Sequence, residues 1–521
     1  MTRQALLSAL LSGFLLGLTT LGHGQVYHLH WAIFFGFVPL WASWLKTKKA
    51  KAVFLSGWVC QITFTLIAFH WLAHTIHEYA HVGWPLALLV LLLFCALANL
   101  QFPLAGLVWH MLFRHKNLSV TWQILALALV TATFQRLLTA VFHWNFGYAW
   151  LYMGWPGVQV AEWVGFRWLC TFSICLNGLL LLAWLNRKNK KWKTYASFAL
   201  AAFLLVNGMG WWRLRSLPPP DALARVLLVQ PNIGNREKEK LEKDQTFREV
   251  ALARYYRLTD EALRQPVTSL DFVLWPENAF PGIIGERELK FGLGPSLRKY
   301  LSSRKIPLVT GSYGIDEEFK ITNALFALTK EGVWSSPPYH KRILLPFGEF
   351  VPGAEIFPFL KNWFPDVREF GRGGSLRILE IGGIRLGPQI CYEGLFDSVS
   401  RDLANAGTQI IVNVTNDSWY GSWQEPWQHF YITMAKAIET RRPLLRGTNT
   451  GVSGVALADG TITRISPVAT EWFGLEEIPY RRNPEPTFFM GWGFWFDWIF
   501  IGLGLLLVLI RKNLFPVANR L

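Results

Sequence analysis

Long apolar runs crowd the two ends of the chain, whereas the middle alternates short apolar stretches with polar segments of helical period. Runs of about 20 residues, enough to cross a bilayer, occupy roughly 4–22, 28–45, 52–72, 84–112, 118–142, 157–186 and 194–212, with an eighth near 491–510. The first lacks a small-residue cleavage site and is followed closely by further runs, so it reads as a retained anchor. The pattern predicts a seven-helix transmembrane domain over 1–215, an outer domain over 222–485 and a C-terminal transmembrane helix over 488–512. Ser216-Leu-Pro-Pro-Pro220 is a stiff connection into the middle segment. Asn483-Pro-Glu-Pro486 leads out of it towards Trp492, Trp495 and Trp498, an aromatic belt of the kind found at membrane surfaces.

Charge gives these runs a direction. Lys and Arg fall in alternate loops: Arg3; Lys46, Lys48, Lys49 and Lys51; Arg114 and Lys116; Arg187, Lys188, Lys190, Lys191 and Lys193; then Arg511 and Lys512. The intervening loops, 23–27, 73–83 and 143–156, contain neither. Because basic loops stay on the cytoplasmic side during insertion, both termini are expected inside and the middle segment outside. These loops account for part of the +16 net charge, and no nucleic-acid partner is expected. A chain that is 52% hydrophobic and 15% aromatic, with 27 Trp, is not an ordinary soluble protein.

In the middle segment the alternation argues an α/β domain. Strands are expected at Arg225–Gln230, Phe272–Trp275, Ile306–Thr310, Asn323–Leu328, Tyr339–Glu349, Ile384–Ile390 and Gln409–Val414, with two more around 444–458 and 461–467 joined at Asp459-Gly460. Helices are expected near 236–265 and from Gln424 to Arg441, the second with Trp427, Phe430, Tyr431, Met434, Ala437 and Ile438 on one face. Glu277, Lys341 and Cys391 each stand where an apolar strand runs out, the place where sites collect in α/β sheets. Cys60, Cys95, Cys170 and Cys175 fall in the apolar runs, which leaves Cys391 alone in a compartment where thiols are normally paired. A thiol needs a base to become a nucleophile, a sequestered carboxylate can take and return a proton, and an ammonium can stabilise an oxyanion. Glu, Lys and Cys together would therefore give covalent acyl transfer.

At these residues the chain resembles the nitrilase superfamily, whose catalytic trio is Glu, Lys and Cys in that order. The motifs are Trp275-Pro-Glu277, Tyr339-His-Lys341 to Pro346-Phe-Gly-Glu349-Phe-Val-Pro352, Cys391-Tyr-Glu393, Asn416-Asp417-Ser-Trp419-Tyr-Gly421, Pro426-Trp-Gln-His-Phe430 and Arg441-Arg-Pro-Leu-Leu-Arg446. Inside a seven-plus-one membrane frame, they look like the apolipoprotein N-acyltransferase family over essentially the whole chain. The resemblance implies a multi-pass α-helical membrane domain plus an α/β nitrilase-like αββα sandwich. It implies Glu277 as general base, Lys341 as oxyanion stabiliser and Cys391 as nucleophile, supported by Glu349 and by Tyr392 and Glu393. The implied reaction is ping-pong: a phospholipid acyl donor acylates the cysteine, and the acyl group passes to the N-terminal diacylglyceryl-cysteine of a diacylated apolipoprotein acceptor, in the last step of lipoprotein maturation. The implied location is an inner (cytoplasmic) membrane with the catalytic domain on the periplasmic side, and the implied protein is a monomer without cofactor or metal. Many members carry a Trp shortly after the first-strand Gln-x-Asn, where this chain has Asn235-Arg-Glu-Lys-Glu-Lys240, so that Trp's role does not transfer.

Several residues keep two readings. Glu349 fits a supporting role or a turn carboxylate; Glu393 a functional role or an anchor for the elbow; Trp419 a substrate-lining role or aromatic bulk. The loop from Pro352 to Gly374, with Phe357, Phe359, Trp363, Phe364 and Phe370, fits a lipid gate or a packing loop. His74, His77 and His81 have helical spacing but no matching Cys or carboxylate, which argues an interfacial helix over a metal site. Glu162 and Arg167 in the sixth run either pair or face a substrate cleft. Two other functions use the same chain: a membrane-tethered amidase acting on small amides, and a non-catalytic membrane receptor.

Overall fold

The apolar runs become helices wherever no proline, glycine or side-chain cap interrupts them. The computed structural model describes residues 1–22, 29–114, 118–138, 142–234, 237, 245–266, 269–285, 287–365 and 367–514. The loop at 23–27, Lys116 and, except for Glu237, the run Asn235–Lys240 lie outside the described residues. The chain forms two compact units, Met1–Leu217 with Gly491–Leu521, and Pro218–Met490.

Six described helices are long and apolar enough to cross a membrane: Ala50–Phe69, Trp84–Leu112, Val120–Leu137, Pro156–Leu185, Lys191–Arg215 and Phe489–Ile510. Arg3–Leu18 is a shorter apolar helix. The stretch Trp84–Leu97 turns Leu88, Leu89, Leu92 and Leu93 outward, about half exposed, as a helix surrounded by lipid does. The run expected at 28–45 is not one helix. It divides into a 3-10 turn at His30–Phe34 and a helix at Val38–Lys46. Asn177 holds the break open, accepting from the Phe37 amide at 2.9 Å and donating to the Ile33 carbonyl at 2.6 Å. Pro39, tolerated in a first turn where no amide is needed, restarts the helix. Glu162 is bound through both oxygens by Arg213, at 2.6 and 2.7 Å, so a costly intramembrane carboxylate is matched by a guanidinium. His77 stacks on Trp84 at 4.4 Å, and the histidines of that segment form no metal-ligating group among the described residues.

In the second unit, strands β1 (Ala222–Gln230), β2 (Phe272–Trp275), β3 (Leu308–Ile315), β4 (Ile321–Leu328), β5 (Tyr339–His340) and β12 (Trp472–Tyr480) form one six-stranded sheet, ordered β12-β1-β2-β3-β4-β5. A second sheet runs β11-β10-β9-β8-β7-β6, built from β6 (Leu379–Ile381), β7 (Ile384–Ile390), β8 (Ile410–Thr415), β9 (Leu444–Thr448), β10 (Gly454–Ala456) and β11 (Ile462–Thr463). Period-2 alternation decides the layering. Val226, Leu228, Phe272 and Leu274 face a core shared with Leu386, Ile390, Val412 and Val414 of the second sheet, while Leu227, Val229, Val273 and Trp275 face the helices Gln245–Leu263 and Gly294–Arg304. Helices Asp397–Asn405, Glu425–Met434 and Lys436–Thr440 belong to the second sheet's side, which completes an αββα sandwich. β1, β2 and β3 are parallel, as are β7, β8 and β9, so the segments following β2, β7 and β8 leave their sheets at carboxyl ends.

Two expectations change. The strand expected from Tyr339 to Glu349 stops after His340, because the amides of Arg342 and Ile343 bond the Glu393 carboxylate at 2.7 and 3.1 Å instead of a neighbouring strand. β12 and β6 lie outside the strands that the sequence pattern predicts. Strand β12 carries Glu476 and Glu477 in its middle and is held by full antiparallel pairing with β1, a long-range contact that local periodicity does not encode.

Candidate active site

Each candidate side chain is placed by a strand that ends abruptly. Glu277 follows β2 after Pro276, and β3 approaches this turn closely enough that a Cβ on Gly311 would lie 2.7 Å from the Glu277 Cα. The Gly311 amide donates to the Pro276 carbonyl at 3.1 Å and its carbonyl accepts from Ala279 at 2.9 Å, so the turn is tied to the sheet. Lys341 follows β5, and its amide donates to the Asn323 carbonyl across the edge of β4 at 2.8 Å. Cys391 follows β7 in the left-handed region, φ +52°, where a non-glycine residue is strained by about 1–3 kcal/mol. Such a position turns the thiol out of the strand direction and is held only if its surroundings fix it.

These three and Glu349 are all buried. The Lys341 ammonium, 1% exposed, donates to Glu349 at 2.8 Å and lies 3.7 Å from the nearer Glu277 oxygen. Asn323 bridges the two carboxylates, its Nδ2 donating to Glu277 at 2.6 Å and to Glu349 at 3.2 Å. The second oxygen of Glu349 accepts from the Leu345 amide at 2.8 Å. Burial by itself would lower Lys341, but Glu349, Cys391 and Glu277 outweigh it, so the ammonium is held well above its ordinary range. Burial pushes the Cys391 thiol well up and the Glu277 charge adds to this, while Lys341 opposes them. Burial thus favours the neutral form of the thiol, in a cluster that also holds the Glu277 carboxylate and the Lys341 ammonium.

Glu393 is the keystone of the elbow. One oxygen accepts from the Tyr339 hydroxyl at 2.8 Å and from the Arg342 and Ile343 amides, and the other accepts from the Ile390 amide at 2.9 Å. It thus joins the segment carrying Lys341 to the strand end carrying Cys391, across the two sheets. Burial raises its pKa, opposed by these bonds and by Lys341. Tyr392 is buried with its ring edge-on to Phe396 at 5.0 Å. Trp419 is half-buried in the turn after β8. In a Glu393→Gln protein the amide nitrogen would face donors that the carboxylate now satisfies. We expect a loss of about 2–3 kcal/mol, read as a lower thermal midpoint in detergent; an unchanged midpoint would show that the carboxylate is not the anchor.

Asn323 and the buried group Asn413, Asp417, His429 and Arg446 behind the elbow were not singled out from the sequence as site residues. A lone amide at the head of the apolar run Asn323-Ala-Leu-Phe-Ala-Leu328 was the available signal for the first. The second group is assembled from β8, β9 and a helix, and no local pattern connects them.

Residues 226–472, which carry most of the paired sheets together with Glu277, Lys341 and Cys391, match the carbon-nitrogen hydrolase family. Residues 12–179 match the apolipoprotein N-acyltransferase N-terminal domain. An apolipoprotein N-acyltransferase of Bdellovibrio bacteriovorus is 38% identical over 98% of this chain and 94% of its own length. One of Geobacter metallireducens is 29% identical, covering 95% of this chain and 93% of its own. The chain belongs to the apolipoprotein N-acyltransferase family, and it is a multi-pass membrane enzyme, an N-acyltransferase. Among solved structures, Saccharomyces cerevisiae Nit3, a member of branch 10 of the nitrilase superfamily, is similar with 16% identity and a TM-score of 0.38, covering 50% of this chain and 91% of that one.

Proposed function

We propose that this enzyme moves an acyl chain from a phospholipid to the α-amino group of an apolipoprotein's N-terminal diacylglyceryl-cysteine, through a thioester on Cys391, as the last step of lipoprotein maturation. The observation that carries this reading is the buried cluster of Glu277, Lys341 and Cys391 in a carbon-nitrogen hydrolase domain borne by a membrane-spanning unit of the N-acyltransferase type. Glu277 takes the thiol proton as sulfur attacks the ester carbonyl. The tetrahedral oxyanion develops beside the Lys341 ammonium, which Glu349 and Asn323 hold in place. Collapse breaks the ester bond, and Glu277 returns the proton to the departing lysophospholipid oxygen. In the second half the amine attacks the thioester and loses its proton to Glu277, which delivers it to the expelled sulfur. Atoms balance without cofactor or metal. Transfer to an amine instead of water requires the thioester to be kept dry, and the burial of all four side chains favours that over small-amide hydrolysis.

The alternation of basic loops favours an inner-membrane location with the second unit on the periplasmic side. Intact-mass analysis of the full chain in phospholipid micelles tests the whole reading. A hydroxylamine-labile mass of one fatty acyl chain, discharged by a diacylated amino-terminal peptide, is expected; discharge by water alone at the same rate would point to the hydrolase.

The Pro352–Gly374 loop bears on lipid entry. Ile356, Phe357, Phe359 and Trp363 are all more than half exposed, Trp363 at 69%, which suits an apolar loop that meets lipid better than one packed on protein. A fluorophore placed at Trp363 in vesicles is expected to be quenched by lipid-borne quenchers, and its failure to quench would remove the gate role.

A further inference from the structure

Behind the elbow lies a buried charged cluster that the reaction sequence above does not use. His429 on helix Glu425–Met434 places Nδ1 3.1 Å from Asp417 Oδ1 and 3.4 Å from Glu425 Oε1, and Nε2 3.2 Å from the carbonyl oxygen of Cys391. Both ring nitrogens therefore face oxygen acceptors. A neutral imidazole has one N–H, so in either tautomer one nitrogen would set its lone pair against an oxygen lone pair. The geometry calls for both nitrogens to carry hydrogen. Arg446 donates to Asp417 Oδ2 at 2.9 Å and to Asn413 Oδ1 at 2.6 Å, and Asn413 Nδ2 donates to the same Cys391 carbonyl at 3.4 Å. Two donors, each fixed from behind by a charged partner, thus converge on the backbone of the residue whose φ is +52°.

Asp417, Glu425 and His429 could also be read as three ligands for a metal ion. The Arg446 guanidinium on Asp417 already supplies the cation there, and hydrogen bonding accounts for both His429 nitrogens. We propose, resting on the acyl-transfer reading, that His429 is a positioning residue. Bonded on both ring nitrogens, it holds the Cys391 carbonyl through Nε2–H and so keeps the elbow turned with the thiol aimed at the acyl carbonyl.

The groups facing His429 and its partners are Asp417 and Tyr420 from the segment after β8, Glu425 from its own helix, Arg446 from β9, and Cys391. Burial opposes the imidazolium and Arg446 opposes it too, but Asp417 and Glu425 outweigh both, so its pKa lies above the ordinary 6.5. The sign follows. The doubly protonated form, and the carbonyl bond it makes, are complete below about pH 6.5 and are lost as pH rises through the raised value.

The test is the rate of Cys391 acylation by phospholipid in micelles, followed by quenched intact mass on the full chain from about pH 6 to pH 10. Wild type is expected to slow on the alkaline side. His429→Gln, an uncharged donor that does not titrate, is expected to stay within about tenfold of wild type at neutral pH and to lack the alkaline fall. Glu425→Gln is expected to shift that fall to lower pH. His429→Phe is expected to acylate about 100-fold more slowly, at an unchanged half-saturating phospholipid concentration. A His429→Phe protein that acylates at the wild-type rate would overturn the proposal, as would a His429→Gln protein that keeps the wild-type alkaline fall. If the Phe variant does not fold, the Gln profile decides. Wild type that never gains acyl mass would instead strike the acyl-transfer reading itself.

Discussion

Cys391→Ala protein is expected to gain no acyl mass from phospholipid and to lose about 10,000-fold or more in transfer rate, the result for removing the proposed nucleophile of a covalent mechanism. The other four cysteines lie in helices of the membrane unit, so the second unit holds no other thiol. The fold should survive, since the change deletes one sulfur atom from a side chain already close-packed with the inter-sheet core, at a cost of about 1 kcal/mol. Cys391→Ser is the sharper variant. A serine hydroxyl is harder to deprotonate than a thiol, so the same carboxylate activates it poorly. Any acyl group that it accepts would be an oxygen ester, which survives neutral hydroxylamine where a thioester does not. Intact mass before and after hydroxylamine distinguishes the two, and a labile adduct on the Ala variant would dismiss Cys391 as the carrier.

Lys341→Met should cost both rate and stability. The ammonium contacts both Glu277 and Glu349, and Asn323 keeps the two carboxylates within reach of one amide. Removing it leaves buried negative charge uncompensated, worth about 3–5 kcal/mol, and takes the stabilising charge from the oxyanion, worth about 1,000-fold in rate. The pH response separates this from simple loss of packing. In wild type the Lys341 pKa is raised, so its contribution is whole below its ordinary 10.5 and is lost only as pH rises through the higher folded value. In Lys341→Met that titrating group is gone, so the variant should lack the fall in stability that wild type begins to show as pH rises above 10.5. Thermal midpoints of both proteins across that range check the prediction; parallel profiles would show that the ammonium does not hold the carboxylates' charge.

Much of the site could be read in one dimension because its parts lie at strand ends. An apolar run that stops at Pro276-Glu277, or at Cys391-Tyr-Glu393, announces a polar group with a reason to be there, and the compartment argument singled out Cys391 before any geometry. Glu349 and Glu393 were visible as carboxylates near the trio but kept two readings, because a carboxylate's role depends on what donates to it. The three-dimensional partners of Glu393 are four donors from two segments, an arrangement that suits an anchor. The same long-range bonds ended the strand expected after Tyr339, since amides that a ladder would have used were taken by a side chain 50 and 51 residues on.

The sequence by itself determined that the chain carries several membrane-length apolar helices, that its middle segment alternates as an α/β domain, and which three residues are the candidates for the reacting groups. Hydrophobic length, period and charge asymmetry are local signals and can be read without the rest of the chain. Tertiary structure alone decided that 28–45 breaks where Asn177 inserts between its halves, and that β12 closes the first sheet's edge against β1. It also decided that Asn323 bridges two carboxylates and that His429, Asp417, Glu425 and Arg446 gather behind Cys391. A buried polar group is tolerated only with partners, and those partners come from segments whose proximity no local pattern records.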